Sequence, residues 1–184
     1  MTLAFAKHRS DNRKDWLLNY DKDNIITYEE RDVSYTDFVH KDLIHFSNDD
    51  TKRSIPSVMD GFKPSQRKIM YGSIKRKLYK DEVKVAQLSG YVSDQAAYHH
   101  GEASLQGAIV GMAQNYVGAN NINILDPDGQ FGTRLRGGKD SASSRYIWTK
   151  LNQLTQKIFI ESDEAVLKKV IEDGDEIEPE FYAP

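Results

Sequence analysis

The sequence predicts a mainly helical α+β fold closed by a short β-ribbon, and three observations carry that prediction. Apolar residues recur at helical spacing in successive stretches between Ser34 and Tyr116. The pattern then changes to alternation at Ile122-Asn123-Ile124-Leu125. Glycines, small hydroxyl residues and cations crowd residues 129–150, where a basic loop between strands is expected.

The elements follow in order. Residues 1–24 read as the end of a preceding unit, a charged helix over Arg9–Tyr20 and then the turn signal Asp21-Lys22-Asp23-Asn24. From Ser34, a hydroxyl cap, the residues Thr36, Phe38, Val39, Leu43 and Ile44 form an amphipathic helix that Asn48-Asp49-Asp50 closes. Ser54-Ile55-Pro56 starts a new segment, and a second helix follows Pro64, which suits a first helical turn. Its inner stripe is Ile69, Met70, Ser73, Ile74 and Leu78; Lys75, Arg76 and Lys80 face water. A third helix spans about Val85–Ala97. A fourth begins at Gly101-Glu102, with Leu105, Ile109, Met112 and Tyr116 on one face and Gly118 as its cap. Asp126-Pro127-Asp128-Gly129 reads as the turn before the ribbon rather than a metal-binding acid pair, and a last helix covers Lys150–Phe159. Three or four helices followed by a ribbon with a basic glycine loop is the layout of a winged-helix (CAP-like helix-turn-helix) domain, here expected over residues 25–160, with residues 161–184 an acidic extension.

Charge is unevenly placed. Residues 51–150 carry 15 Lys/Arg against 8 Asp/Glu, whereas residues 1–50 carry 7 against 11 and residues 151–184 carry 3 against 9. A basic centre between acidic flanks suits a polyanion, which the overall net charge of -3 conceals. With no cysteine there is neither a disulfide framework nor a thiolate metal site. No apolar run approaches the roughly 18 residues a membrane span needs, and the N-terminus has no signal-like apolar stretch, so a soluble intracellular protein is expected.

Three clusters carry chemistry. Lys63, Arg67 and Lys68 surround the start of the helix after Pro64, where the helix dipole disfavours cations by a few tenths of a kcal/mol or more. A bound phosphate would account for them; the alternative is that their long side chains simply extend into water. Tyr98-His99-His100-Gly101-Glu102 places two imidazoles at the mouth of another helix, with His100 as a base or donor near a phosphate. Arg145-Tyr146 sets a phenol beside a guanidinium within a stretch that also holds Arg134, Arg136, Lys139 and Lys150. The same run also reads as an ordinary strand, with Tyr146 and Trp148 sharing one face. As a nucleophile Tyr146 needs help: forming phenolate at pH 7 costs about 4 kcal/mol from a pKa near 10. One well-placed donor on developing charge is worth on the order of 3 kcal/mol, so two or three suffice.

Seven motifs are recognisable together. Ser54-Ile-Pro-Ser-Val-Met-Asp-Gly-Phe-Lys-Pro-Ser-Gln-Arg-Lys68, Lys84-Val-Ala-Gln-Leu, Tyr98-His-His-Gly-Glu, Phe131-Gly-Thr-Arg, Gly137-Gly-Lys-Asp, Arg145-Tyr146-Ile and Glu178-Pro-Glu-Phe-Tyr stand in one order along the chain. The sequence resembles eukaryotic-type (type IIA) DNA topoisomerase II, and Gly-Gly-Lys-Asp favours the eukaryotic and viral single-chain type over the bacterial gyrase type. The resemblance implies that residues 1–24 end a metal-binding TOPRIM domain and that residues 161–184 lead toward a tower domain. It implies that Tyr146 attacks a DNA phosphate to give a 5′-phosphotyrosyl link, with Arg145, Arg67 and His100 assisting. It implies that Lys63, Lys68, His99, Ser104, Arg134 and Lys139 contact double-stranded DNA. The whole enzyme would use Mg²⁺ and ATP on domains that find no counterpart here, so no metal or cofactor is expected within this chain, which reads as a piece of a longer homodimeric, nuclear (or viral, cytoplasmic) enzyme. Trp148 and Ser144 depart from the pattern of some relatives without touching the chemistry. Two competing functions stay open at this point: a winged-helix DNA-binding protein without catalysis, and an interaction module whose acidic flanks dock a basic partner.

Overall fold

Pro56 cannot continue a helix and disfavours helical backbone at Ile55, and the chain divides there into two compact units, Met1–Ile55 and Pro56–Pro184. The computed structural model describes every residue except 28, 30 and 31.

In the first unit, α1 (Thr2–Phe5) and α2 (Ser10–Leu18) are joined by a short 3₁₀ turn. Arg13 ties them by donating from Nη1 to the Ala6 carbonyl at 2.7 Å. α3 (Tyr35–Phe38) starts where Ser34 predicts, its Oγ accepting from the Asp37 N–H at 3.0 Å. A π-helical turn over Val39–Leu43 carries the chain into α4 (Ile44–Ser54). Asn48-Asp49-Asp50 therefore does not end this helix. The polar residues occupy its wet side, where Asp50 pairs with Arg53, and the helix continues to the residue before Ile55-Pro56. Tyr20 and His45 meet edge to face, with Oη 3.0 Å from Nδ1.

The second unit holds the main core. α5 (Pro64–Lys75) buries Ile69, Met70, Ser73 and Ile74, with Leu78 just beyond its end, as the stripe predicts. α6 (Val85–Gln95) and α7 (Glu102–Ala113) pack on it through Val85, Leu88, Val92, Leu105 and Ile109, all fully buried. Gly72 is the point of closest approach, since a Cβ there would lie 2.7 Å from Val92 Cγ2. α7 stops at Ala113, short of Tyr116 and Gly118, because Asn120 donates to the Gly111 and Gln114 carbonyls and folds the chain back.

Three strands close the unit: β1 (Val83–Lys84), β2 (Leu125–Asp128) and β3 (Trp148–Leu151), antiparallel in the order β1-β3-β2. The Asp126-Pro127-Asp128 segment is thus strand rather than turn, with Pro127 opposite Thr149. A proline is tolerated because β2 is an edge strand, and the turn itself falls at Gly129, at φ +106. Lys150 and Leu151 belong to β3, so the last predicted helix shrinks to α8 (Thr155–Ile158). Their alternating burial, Thr149 and Leu151 inward, is the strand period winning over a helical reading.

The acidic extension is folded. β4 (Lys169–Glu172) and β5 (Asp175–Pro179) form a hairpin, and β5 lies against α5. Phe62, Phe159 and Tyr182 make an aromatic cluster, the first two stacked at 5.5 Å between centroids, which draws the C-terminal residues onto the start of α5. Among the described residues no helix is long and apolar enough to cross a membrane.

Candidate nucleic-acid interface and nucleophile

β3 sets the orientation of Tyr146. Ile147, one residue before the strand, is buried at the core, and its carbonyl accepts the Val85 N–H at 3.1 Å. Tyr146 precedes it in a turn and is 65% exposed. A tight turn holds it, the Tyr146 N–H donating to the Ser143 carbonyl at 2.8 Å, while the Ala86 N–H donates to the Ser144 carbonyl at 3.1 Å. The phenol is presented to solvent by a backbone fixed on both sides. Arg145 beside it is exposed and has no side-chain hydrogen bond or ion pair among the described residues.

This turn is tied to the mouth of α7. Ser144 Oγ donates to Gln106 Oε1 at 2.7 Å, and Gln106 Nε2 donates to Glu102 Oε1 at 2.7 Å. Glu102 occupies the first turn of α7, so its carboxylate is the anion that this helix end already holds. A phosphate near this mouth would meet side chains ahead of the helix. His100 there is exposed, its ring edge-on to Tyr98 at 5.3 Å, and it makes no contact with Tyr146. His99 is exposed too, but its Nε2 stands 3.1 Å from Glu172 in the β4–β5 hairpin. Ser104 is exposed on α7.

Between β2 and β3 runs a loop built to be stiff. A Cβ on Gly132 (φ +103) would sit 2.6 Å from the Gly138 backbone, so two stretches of chain touch there. Gln114 Nε2 donates to the carbonyls of Phe131 and Gly138, at 2.8 and 3.2 Å. Asp140 accepts from the Thr133 N–H and hydroxyl, both at 2.8 Å; first that N–H and then the hydroxyl hold its carboxyl below the usual range. Asp140 is the only acid between Gly129 and Tyr146, and it is spent on the loop's own backbone. Arg134, Arg136 and Lys139 stand exposed around it, with no ion pair among the described residues.

The start of α5 departs from expectation. Arg67 is buried (7% exposed), its Nε and Nη2 donating to the two oxygens of Asp60 at 2.8 and 2.9 Å and Nη2 also to the Phe62 carbonyl. Burial opposes the charge on Asp60, but the Arg67 donors and the N–H groups of Tyr182 and Phe62 outweigh it and hold the carboxyl low. Lys68 is likewise committed, to Glu178 at 2.9 Å and to the Ala96 carbonyl. Lys68 is thus an internal ion-pair partner, and Arg67 is held in place without a hydrogen bond to Tyr146. Of the three cations there, Lys63 alone is exposed without an ion pair among the described residues; its N–H donates to Gln66 Oε1 at 2.9 Å. Glu178 and Asp60 gave no sequence signal for these roles, because each partner lies far off or across a turn. Gln106, Gln114 and Asp140 were also missed, although the last closes the Gly-Gly-Lys-Asp motif.

Among the described residues no group of three His, Asp or Glu side chains is placed to hold a metal ion.

Comparison with known proteins follows the same division of the chain. A family model that describes the A subunit of DNA gyrase/topoisomerase IV matches residues 53–184, and one described as the C-terminal associated domain of TOPRIM matches residues 1–51. DNA topoisomerase 2 of Acanthamoeba polyphaga mimivirus is 56% identical over 184 residues, covering 100% of this chain and 15% of that protein. DNA topoisomerase 2 of Saccharomyces cerevisiae is 52% identical over 182 residues, covering 99% of this chain and 13% of that protein. The crystal structure of the Plasmodium falciparum topoisomerase II DNA-binding, cleavage and re-ligation domain superposes with a TM-score of 0.83 at 53% identity, over 100% of this chain and 25% of that one. The chain thus spans a small part of the length of the relatives it matches.

Proposed function

The chain belongs to the DNA gyrase/topoisomerase IV family, and from that premise we propose that it is the DNA-cleavage region of a type II topoisomerase, in which Tyr146 is the nucleophile. The observation that carries this reading is the pairing of an exposed, backbone-fixed phenol with an unpaired Arg145, beside a stiff loop whose Arg134, Arg136 and Lys139 are also unpaired. These four cations form no ion pair among the described residues, unlike Arg67, Lys68, Lys150, Lys168 and Lys169, each of which pairs with a carboxylate.

Duplex DNA lies on α7's mouth and the β2–β3 loop, a winged-helix arrangement with the loop as wing. The contacts go to phosphates from Lys63, His99, Ser104, Arg134 and Lys139, which position the backbone without reading bases. Tyr146 Oη bonds to phosphorus as the P–O3′ bond breaks. The phenol proton passes to a base, for which His100 is the candidate, and the leaving 3′ oxygen gains a proton. Arg145 stabilises charge on the phosphoryl oxygens. The aryl phosphoester conserves the energy of the broken bond, so religation needs no further source. In the whole protein this reading brings ATP and Mg²⁺ on other domains, a homodimeric partner and strand passage, in a nucleus or, for a viral source, the cytoplasm.

A suicide DNA substrate tests it. Polypeptide carrying this chain together with the remaining length of its relatives should form a denaturant-stable protein–DNA adduct, which Tyr146→Phe abolishes while duplex binding persists. Adduct surviving in Tyr146→Phe would overturn the assignment, and binding without adduct in the unsubstituted protein would favour a non-catalytic DNA-binding role.

A further inference from the structure

Leu135 is 91% exposed at the centre of a 3₁₀ turn, Arg134–Arg136, that the β2–β3 loop carries at its tip. Single exposed leucines are common on protein surfaces. This one differs in its setting. Turns select glycine, asparagine, aspartate or serine, so the turn itself has no need of a leucine. The loop beneath is rigid, closed by the Gly132–Gly138 contact, the Gln114 clamp and the Asp140–Thr133 bonds. With three residues per turn, successive side chains fan out by about 120°, which leaves Leu135 standing between two guanidinium groups. Both arginines lack an ion pair among the described residues, and the loop's one acid is turned to its own backbone.

An apolar tip with a cation on each side has the polarity of a DNA minor groove in reverse. There, two rows of phosphates flank sugar faces and base edges across a gap of about 6 Å, which admits one side chain and excludes a helix. We infer that Leu135 is an apolar wedge that seats in the minor groove of duplex DNA while Arg134 and Arg136 grip the phosphates on either side. This rests on the DNA-binding reading given above and adds to it a contact of different chemistry. Apolar insertion of this kind grips without base-specific hydrogen bonds and opens a step locally.

The test is equilibrium binding of the 184-residue chain to a mixed-sequence duplex across a series of salt concentrations. Leu135→Ala should weaken binding about five- to tenfold, since partial burial of one leucine is worth about that much. It should leave the salt slope unchanged, because no phosphate contact is lost. Leu135→Met should bind as the unsubstituted chain does. Arg134→Ala and Arg136→Ala should each lower the slope by about 0.9. Unchanged affinity in Leu135→Ala would overturn the wedge, as would a loss accompanied by a smaller slope, which marks a missing phosphate contact. Absence of salt-dependent binding by the unsubstituted chain would remove both the wedge and the DNA-binding reading beneath it.

Discussion

Arg67 and Lys68 are adjacent cations at the start of a helix, and from sequence they ask for an external anion. The fold supplies internal ones, Asp60 and Glu178. The Asp60 side chain is fully buried, so removing its partner strands a charge out of water. Arg67→Ala should therefore cost about 3–5 kcal/mol of stability, read from urea unfolding at neutral pH. The pH dependence follows from the direction of the Asp60 shift. Its folded carboxyl titrates below the unfolded value of about 3.9, so its contribution is full above that pH and is lost as pH falls through the folded pKa. Asp60→Asn should lower stability at pH 7 and flatten the decline between about pH 4 and pH 2; an undiminished acid decline in that variant would show that other carboxylates carry it. Tyr146 shows the opposite case. Sequence leaves it between strand aromatic and exposed phenol, and a turn decides: its N–H donates to the Ser143 carbonyl, so Tyr146 stands ahead of β3 rather than within it.

At the scale of elements, glycines separate stiffness from permissiveness. Gly132 sits at φ +103 against the Gly138 backbone, and neither can yield to a Cβ. Gly132→Ala should cost more than about 1 kcal/mol by urea unfolding and should also weaken duplex binding, because the basic loop loses its closure. Gly90, inside α6 with open space around its Cα, should behave conversely: Gly90→Ala should raise stability by about 0.5–1 kcal/mol and leave DNA affinity alone. Equal effects at the two sites would contradict the loop's assigned rigidity. Periodicity made α5, α6 and the start of α7 legible, since each has a long apolar stripe. Where it failed, a neighbour decided. Asn120 ends α7 early, β3 recruits Lys150 and Leu151 from a helical-looking run, and an edge position admits Pro127 to a strand. The β4–β5 hairpin was invisible because its hold on α5 comes from long-range partners such as Lys68 with the buried Glu178.

For the whole molecule, the charge blocks of the sequence acquire a physical form. Of the 15 Lys/Arg of residues 51–150, Arg53, Arg67, Lys68 and Lys150 form ion pairs among the described residues, and four of the unpaired ones, Arg134, Arg136, Lys139 and Arg145, stand in the β2–β3 loop and beside Tyr146. Affinity for duplex DNA should therefore fall with salt, the slope being about -0.9 per phosphate contacted, and the triple change Arg134→Ala, Arg136→Ala, Lys139→Ala should reduce that slope by nearly 3 such units. A slope indifferent to those three residues would place the DNA on another face. The candidate site was legible in sequence as far as residue types and order allow. Which cations remain free was not, because pairing is a property of the folded chain. The proposed cleavage leaves a covalent link, and that link can be read directly: digest the protein–DNA adduct formed on a suicide substrate and sequence the nucleotide-bearing peptide by mass spectrometry. A single phosphotyrosyl peptide is expected, modified at Tyr146 and joined to the 5′ phosphate of the cleaved strand; attachment at any other residue, or through a 3′ phosphate, would rule out Tyr146 as the nucleophile.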